Sequence, residues 1–253
     1  MSAVPLIKQK VEFKQPKSWH GREVRVVVIG AGGNGSEVID SLAAFHHAMI
    51  CLGRSGGLHV TVIDDSKVRE PNLVRQRFWP CDLGQYKSVV LANRYNLQLG
   101  LSWEGLPCRF PSVETEAAMS KADIVISAVD LPSARVAIAD YKGRLKRDAM
   151  WLDLGNGHRH GQAVFGALAP AMRAEYPCVL DVYPEVRHLQ DDTRKSCSTA
   201  EALASQDCLV NRTITTAGLS ALWEVLRYGA TDKHWIVIDL KTGMQSAHSF
   251  PPI

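Results

Sequence analysis

Apolar residues follow two rhythms along this chain. Val24 to Ile29 (VRVVVI) is a short β-branched run bounded by turn signals, which predicts a central parallel strand covered on both faces. After a glycine-rich turn, Val38, Leu42, Phe45 and Met49 recur at steps of four, three and four, the stripe of a helix packed on one side. A second strand is predicted over His59 to Ile63 (HVTVI), ending in Asp64-Asp65, and a third over Asp123 to Val129 (DIVISAV), ending in Asp130. Between them lie a helix from about Lys87 to Leu99 and a strand near Gly105 to Phe110. Strand and helix alternating in this way predict an α/β fold, a doubly wound, mainly parallel Rossmann-like sheet with right-handed crossovers.

The second half changes character. Trp151 to Leu154 and Ala163 to Leu168 read as antiparallel strands joined by the polar stretch Gly155 to Gly161, so antiparallel strands are added in the C-terminal half. Pro170 to Ser196 is polar and aperiodic and predicts a long crossing loop, a length that signals function or disorder. Ile214, Ala217, Ala221 and Val225 then line one face of a helix with Arg227 in its last turn and Gly229 as its stop. Trp235 to Leu240 and Gln245 to Phe250 flank Lys241-Thr242-Gly243 as a closing hairpin.

Composition narrows the class. With 253 residues, 46% hydrophobic and 22% charged, the chain can bury a sizeable core without staples. No apolar run approaches the ~20 residues of a spanning helix, and Met1 to Lys17 is polar and basic, so a cytoplasmic location without a membrane partner is expected. A net charge of +3 is too small to imply a nucleic-acid partner. Lys8, Lys10, Lys14, Lys17, Arg22 and Arg25 crowd the start against Glu12 and Glu23, which reads as a solvated tail. Six cysteines contain no C-x-x-C pair, so they are expected to be free thiols, most of them buried, with no zinc.

Gly30-Ala31-Gly32-Gly33-Asn34-Gly35 fits G-x-G-x-x-G, after a strand and before a helix. Glycines Gly30, Gly32, Gly33 and Gly35 permit a tight turn and close backbone approach, and the helix start offers unpaired N–H groups to a phosphate. The motif alone does not choose between NAD, FAD and ATP. Asp64, at a strand tip, stands where a carboxylate accepts ribose hydroxyls, although it comes later than the customary spacing of about 20 residues. Asp65 beside it reads as a cap.

Val68 to Phe78 (VREPNLVRQRF) and Gly84-Gln85-Tyr86-Lys87 carry more specific information. With the glycine turn they resemble the ThiF/MoeB family, bacterial relatives of ubiquitin-activating enzymes, whose pattern reads D…N-L-x-R-Q…D-x-G-x-x-K. The resemblance extends over about Arg25 to Arg135 and, more loosely, to the closing hairpin. Its chemistry is consistent: Arg75 and Lys87 can place two positive charges on a triphosphate, and Asn72 and Gln76 can hydrogen-bond phosphate or ribose.

The resemblance also implies that Asp130, with Arg135 five residues on, attends the Mg2+ that bridges nucleotide phosphates. Pro132 and Ser133 leave Asp130 equally readable as a helix N-cap, and the two roles are compatible. The family's acceptor cysteine would fall at Cys197, where Arg194 and Lys195 favour thiolate; an unreactive loop thiol is the alternative. Cys208, with an apolar flank, reads as buried, and His158 and His160 read as a solvated hairpin tip rather than metal ligands.

Two departures stand out. The family's arginine-bearing N-terminal helix (R-Y-x-R-Q) is missing, with Arg22 and Arg25 the residues available in its place, and so are paired C-x-x-C zinc ligands. This compact pattern is similar to the ThiF-like proteins of plasmid-associated PRTRC gene clusters, particularly over Cys197 to Asn211. What the resemblance implies is an ATP- and Mg2+-dependent adenylyltransferase acting on the C-terminal carboxylate of a small ubiquitin-like or sulfur-carrier-like protein. It further implies a homodimer and a possible thioester on Cys197. An NAD(P)-dependent oxidoreductase and a non-catalytic nucleotide-binding scaffold are the rivals. The organisation expected is a basic segment 1–22 and one domain 23–253, with the nucleotide half at 23–150 and the hairpins, loop and helix at 151–253.

Overall fold

The computed structural model describes residues 11–54, 56–191 and 206–252. In chain order, β1 (Phe13–Lys14) is followed by β2 (Val24–Ile29), α1 (Gly33–Cys51), β3 (Leu58–Ile63), α2 (Lys87–Leu99), β4 (Glu104–Leu106), α3 (Val113–Lys121), β5 (Ile124–Ser127) and α4 (Pro132–Ala139). The second half contributes β6 (Met150–Asn156), β7 (His160–Ala167), α5 (Val179–Val182), α6 (Val210–Tyr228), β8 (Ala230–Thr231), β9 (Lys233–Asp239) and β10 (Met244–Ser249).

Eight strands form one sheet in the order β10-β9-β7-β6-β5-β2-β3-β4. From β6 to β4 all pairings are parallel, and β7, β9 and β10 extend the sheet antiparallel. The unbroken apolar run of β2 follows from its central place. Val26 and Val28 enter the core beneath α1 and α6, while Val27 and Ile29 enter a second core beneath α3 and α4. Along α1, Val38, Leu42 and Met49 are buried, as the stripe predicts, and on α6 Ile214, Ala217, Ala221 and Val225 are buried likewise. Gly229 ends α6 in the left-handed region (φ 86).

Several expectations need correction. The strand near Gly105 to Phe110 is only Glu104–Leu106; α4 begins at Pro132, where Pro132-Ser133 reads as a helix start, whereas α3 was not foreseen because a short helix carries too few apolar repeats to set a period. As far as Asp191, the stretch after Pro170 is not a bare loop. Short 3-10 turns at Pro170–Met172 and Pro184–His188 flank α5, whose Val179 and Leu180 are buried.

From Val11 onward the basic start is not a solvated tail. Val11, Phe13 and Trp19 are buried, Phe13 pairs with Thr231, and its ring packs edge-on against Phe165 and Tyr176. Arg22 reaches the fully buried Asp123 at 2.7 Å, and Lys146 binds the same carboxylate. Counting charges missed the apolar residues interleaved with them. Nor are most cysteines buried: among those described only Cys178 is, while Cys51, Cys81 and Cys208 are exposed and Cys108 is half-buried. His158, Arg159 and His160 do lie exposed at the β6–β7 turn.

Candidate active site

Parallel strands β2, β3, β5 and β6 end at the same edge, and the chain runs one way from β2 to β3 and β4, the other way to β5 and β6. The crevice at that reversal is where doubly wound sheets bind ligands. The glycine turn stands on its floor. Gly30 has φ 92, and a Cβ there would meet the Ala128 carbonyl oxygen at 2.6 Å; at Gly35 a Cβ would meet the Gly30 oxygen at 1.9 Å. Neither position accepts a side chain. Gly32 faces open space, presenting bare backbone at the start of α1, and Gly33 packs against the amide of Asn211 from α6.

Asp64, at the tip of β3, braces this turn. Its carboxylate accepts hydrogen bonds from the Ala31 N–H and the Ser66 N–H, both at 2.7 Å, and each oxygen keeps acceptor capacity for a ribose hydroxyl. Ser88 Oγ donates to the Asp64 carbonyl at 2.9 Å, and the Lys87 N–H donates to the Ser66 carbonyl at 2.9 Å. The start of α2 is thereby strapped to the end of β3, and Lys87 is buried there with Nζ 5.9 Å from the Phe78 ring centre.

Between β3 and α2 the chain forms a closed loop, with Lys67 bridging to Tyr86 and the Val68 N–H donating to the Gln85 carbonyl. Inside it, Asn72 is buried and its Oδ1 accepts the Arg69 N–H at 2.8 Å, so part of this amide is committed to its own turn. Arg75 donates from Nη1 to Gln206 Oε1, and its Nε is buried without a partner. Burial holds the Arg75 pKa below its ordinary value, and the nearby charge of Asp130 works in the opposite direction. Gln76 Oε1 is likewise buried and unpartnered.

Residues 12–234 match the model of the ThiF family. The chain belongs to the ThiF family. A curated relative, the adenylyltransferase and sulfurtransferase UBA4 of Yarrowia lipolytica, is 31% identical over 120 residues, 47% of this chain and 28% of that protein. Among solved structures, PaaA superposes with a TM-score of 0.62 at 14% identity, covering 90% of this chain and 64% of that one. E. coli MccB with ATP superposes at 0.59 and 16% identity, covering 91% and 64%. At such identities these structures establish a shared Rossmann-like fold. The chain spans less than a third of the curated relative and under two thirds of the solved ones.

In this ThiF-family chain Asp130 lies exposed just past β5. It is not the helix cap: the N-cap position of α4 is Leu131, and the Ser133 N–H and Oγ bond Asp191 instead, at 3.0 and 2.6 Å. With Arg135, Asn156, His160, Gln162 and Gln206, Asp130 lines a cavity of about 390 Å3. Arg135 is held there by Asp153, which accepts from its Nε through both oxygens at 2.9 and 3.0 Å. A cavity of about 500 Å3 beside Trp19, Arg22 and Arg54 lies at the opposite edge, where β2 begins.

Of the two arginines available in place of the missing helix, Arg22 is bound to Asp123, and Arg25, half-buried on β2, lies 3.9 Å from Glu23. Cys208, expected inside, is exposed, with its thiol 3.8 Å from the Val74 carbonyl beside Arg75. Cys197 lies outside the described residues. Among the described residues no group of three or more His, Cys, Asp or Glu could hold a metal.

Sequence reasoning missed what ties the corner together. Asn34 donates to Asn156 Oδ1 at 2.7 Å, joining the glycine turn to the end of β6, and Glu37 binds Arg77 at 2.9 Å. Asn34 and Arg77 lie inside segments the spacing singles out, but nothing in it marks their partners Asn156 and Glu37, far away along the chain.

Proposed function

We propose that this chain binds ATP in the crevice above the Gly30 turn and adenylates the C-terminal carboxylate of a small ubiquitin-like or sulfur-carrier-like protein. The observation that carries the reading is Arg75, whose Nη1 bonds Gln206 on the lining of the cavity that Asp130 shares, while its buried Nε has no partner and it forms no ion pair among the described residues. The adenylyltransferase in the name of the UBA4 relative supports it.

A fit test points the same way. Asn34 Oδ1, Arg75 Nε, Gln76 Oε1 and Asn211 Nδ2 are all buried without hydrogen-bond partners, on the segments that meet at the start of α1. Leaving such an atom unpaired costs about 1–3 kcal/mol each, so this corner is suited to a polar ligand that supplies partners. Asp130 is the residue that would hold Mg2+, which commonly takes one or two carboxylates and completes its shell with phosphate oxygens and water. When bound, the ion supplies charge neutralisation.

In the reaction a carboxylate oxygen of the carrier attacks the α-phosphorus, the bond from that phosphorus to the α,β-bridging oxygen breaks, and pyrophosphate leaves with the electron pair. The chain's part is positioning and electrostatics. Gly32 and Gly33 present backbone N–H groups to phosphate, Asp64 takes the ribose hydroxyls, and Asn72 and Gln76 orient. Arg75 and Lys87 neutralise the developing charge. The 390 Å3 cavity running from Asp130 to the β6–β7 turn receives the carrier's tail. A thioester on Cys197 follows when its thiolate attacks the acyl carbon and AMP departs. The reading includes a cytoplasmic homodimer.

The test is ATP–pyrophosphate exchange with the full chain, Mg2+ and small carrier proteins ending in an exposed carboxylate. Carrier-dependent exchange is expected, without any change in nicotinamide absorbance. Cys197→Ala should leave exchange intact and remove the reductant-sensitive complex with the carrier. Firm ATP binding with no exchange from any carrier would favour a scaffold instead.

A further inference from the structure

Arg75 can meet a triphosphate only if the loop carrying it is held at a fixed height over the glycine turn. A buried carboxylate one turn into α1 ties that loop to the helix. Glu37 is 8% exposed, and its Oε2 accepts from Arg77 Nη2 at 2.9 Å. Asp40, three residues on, lies 3.2 Å from the same nitrogen. The main chain of Arg77 is held as well: its N–H donates to Ser36 Oγ at 3.1 Å, and its carbonyl accepts from Arg94 Nη1 on α2. Arg212, in the first turn of α6, brings Nε to 3.6 Å from the same Glu37 oxygen.

Glu37 therefore joins the loop and α6 to α1 immediately below the glycines. Arg75 is two residues upstream of Arg77, and its contact on the other side is Gln206. We propose that Glu37 is a positioning residue for Arg75, setting affinity for the phosphate chain of the nucleotide and leaving affinity for the nucleoside untouched. The proposal rests on the ATP reading above. Its physical basis is geometric: guanidinium–phosphate hydrogen bonds need alignment, and a displacement of about 1 Å is enough to lose much of their effect. Glutamine at position 37 preserves the shape but removes the charge, leaving Arg77 to the more exposed Asp40.

Calorimetric titration of the full chain with ATP and Mg2+, and separately with adenosine, tests this. Glu37→Gln should weaken ATP binding by about tenfold and leave adenosine binding unchanged. In an Arg75→Ala background Glu37→Gln should cause no further loss, because it acts through Arg75. Unchanged ATP affinity, equal losses for ATP and adenosine, or a full additional loss in the Arg75→Ala background overturns the proposal. Equal losses would mark Glu37 as a general stabiliser. If Glu37→Gln does not fold, Arg77→Gln, which removes the same ion pair from its more exposed end, carries the same expectations. An unaltered chain that fails to bind ATP overturns the nucleotide reading itself, whereas ATP binding indifferent to Glu37→Gln overturns only the positioning role.

Discussion

At the scale of single residues, the proposed chemistry depends on cations whose surroundings are partly dry. A donor aimed at developing charge in such a place is worth more than in water, and its loss typically costs a factor of about 100 or more in rate. Arg75→Ala and Lys87→Ala are each expected to slow pyrophosphate exchange to that extent, and exchange at wild-type rate in Arg75→Ala would contradict the assignment. A second residue-scale expectation concerns Asp123, at the far edge of the sheet. Burial alone would push its carboxyl up, but hydrogen bonds from Arg22, the Arg25 N–H and Lys146 hold it below the ordinary carboxylate range.

Because the folded pKa is the lower one, the stability this group contributes is complete above about pH 4 and drains away as acidity passes through the depressed value. Arg22→Ala raises the folded pKa, so acid unfolding should begin at a higher pH, with a loss of about 2 kcal/mol at neutral pH. Circular dichroism across an acid titration checks this; superimposable transitions would refute it. These pairings were invisible beforehand, since Arg22 and Asp123 are 101 positions apart.

At the scale of elements, β2 and α1 form one unit held by contact between glycines. Gly35→Ala places a methyl group where the Gly30 carbonyl oxygen stands, so α1 must lift from the end of β2. Loss of nucleotide binding together with a lower melting temperature is expected, whereas an unchanged melting curve would mean that the turn tolerates the methyl group. Element boundaries were legible where periodicity ran long. The stripe on α1, the span of α2 and the Gly229 stop of α6 all follow from local repetition and from the conformational freedom of glycine. Of the short helices, only the start of α4 was legible, from Pro132-Ser133; α3 and α5 were not, because each buries only a few side chains against neighbours distant in sequence.

At the scale of the whole molecule, the parallel half and the antiparallel extension make one eight-stranded sheet, and α6 crosses back to place Asn211 and Arg212 beside the glycine turn. The second half thus packs against the candidate site rather than standing apart from it. The sequence by itself determined the alternation of strand and helix, the glycine turn and the N-L-x-R-Q loop, because side-chain periodicity and glycine sterics act between neighbours in the chain. Only the tertiary structure decided which charges are spent on one another. It bound Arg22 to Asp123 and Arg77 to Glu37, left Arg75 without an ion pair among the described residues, and turned Cys208 outward. Those outcomes depend on packing between segments far apart along the chain, and no local pattern encodes which buried groups will meet.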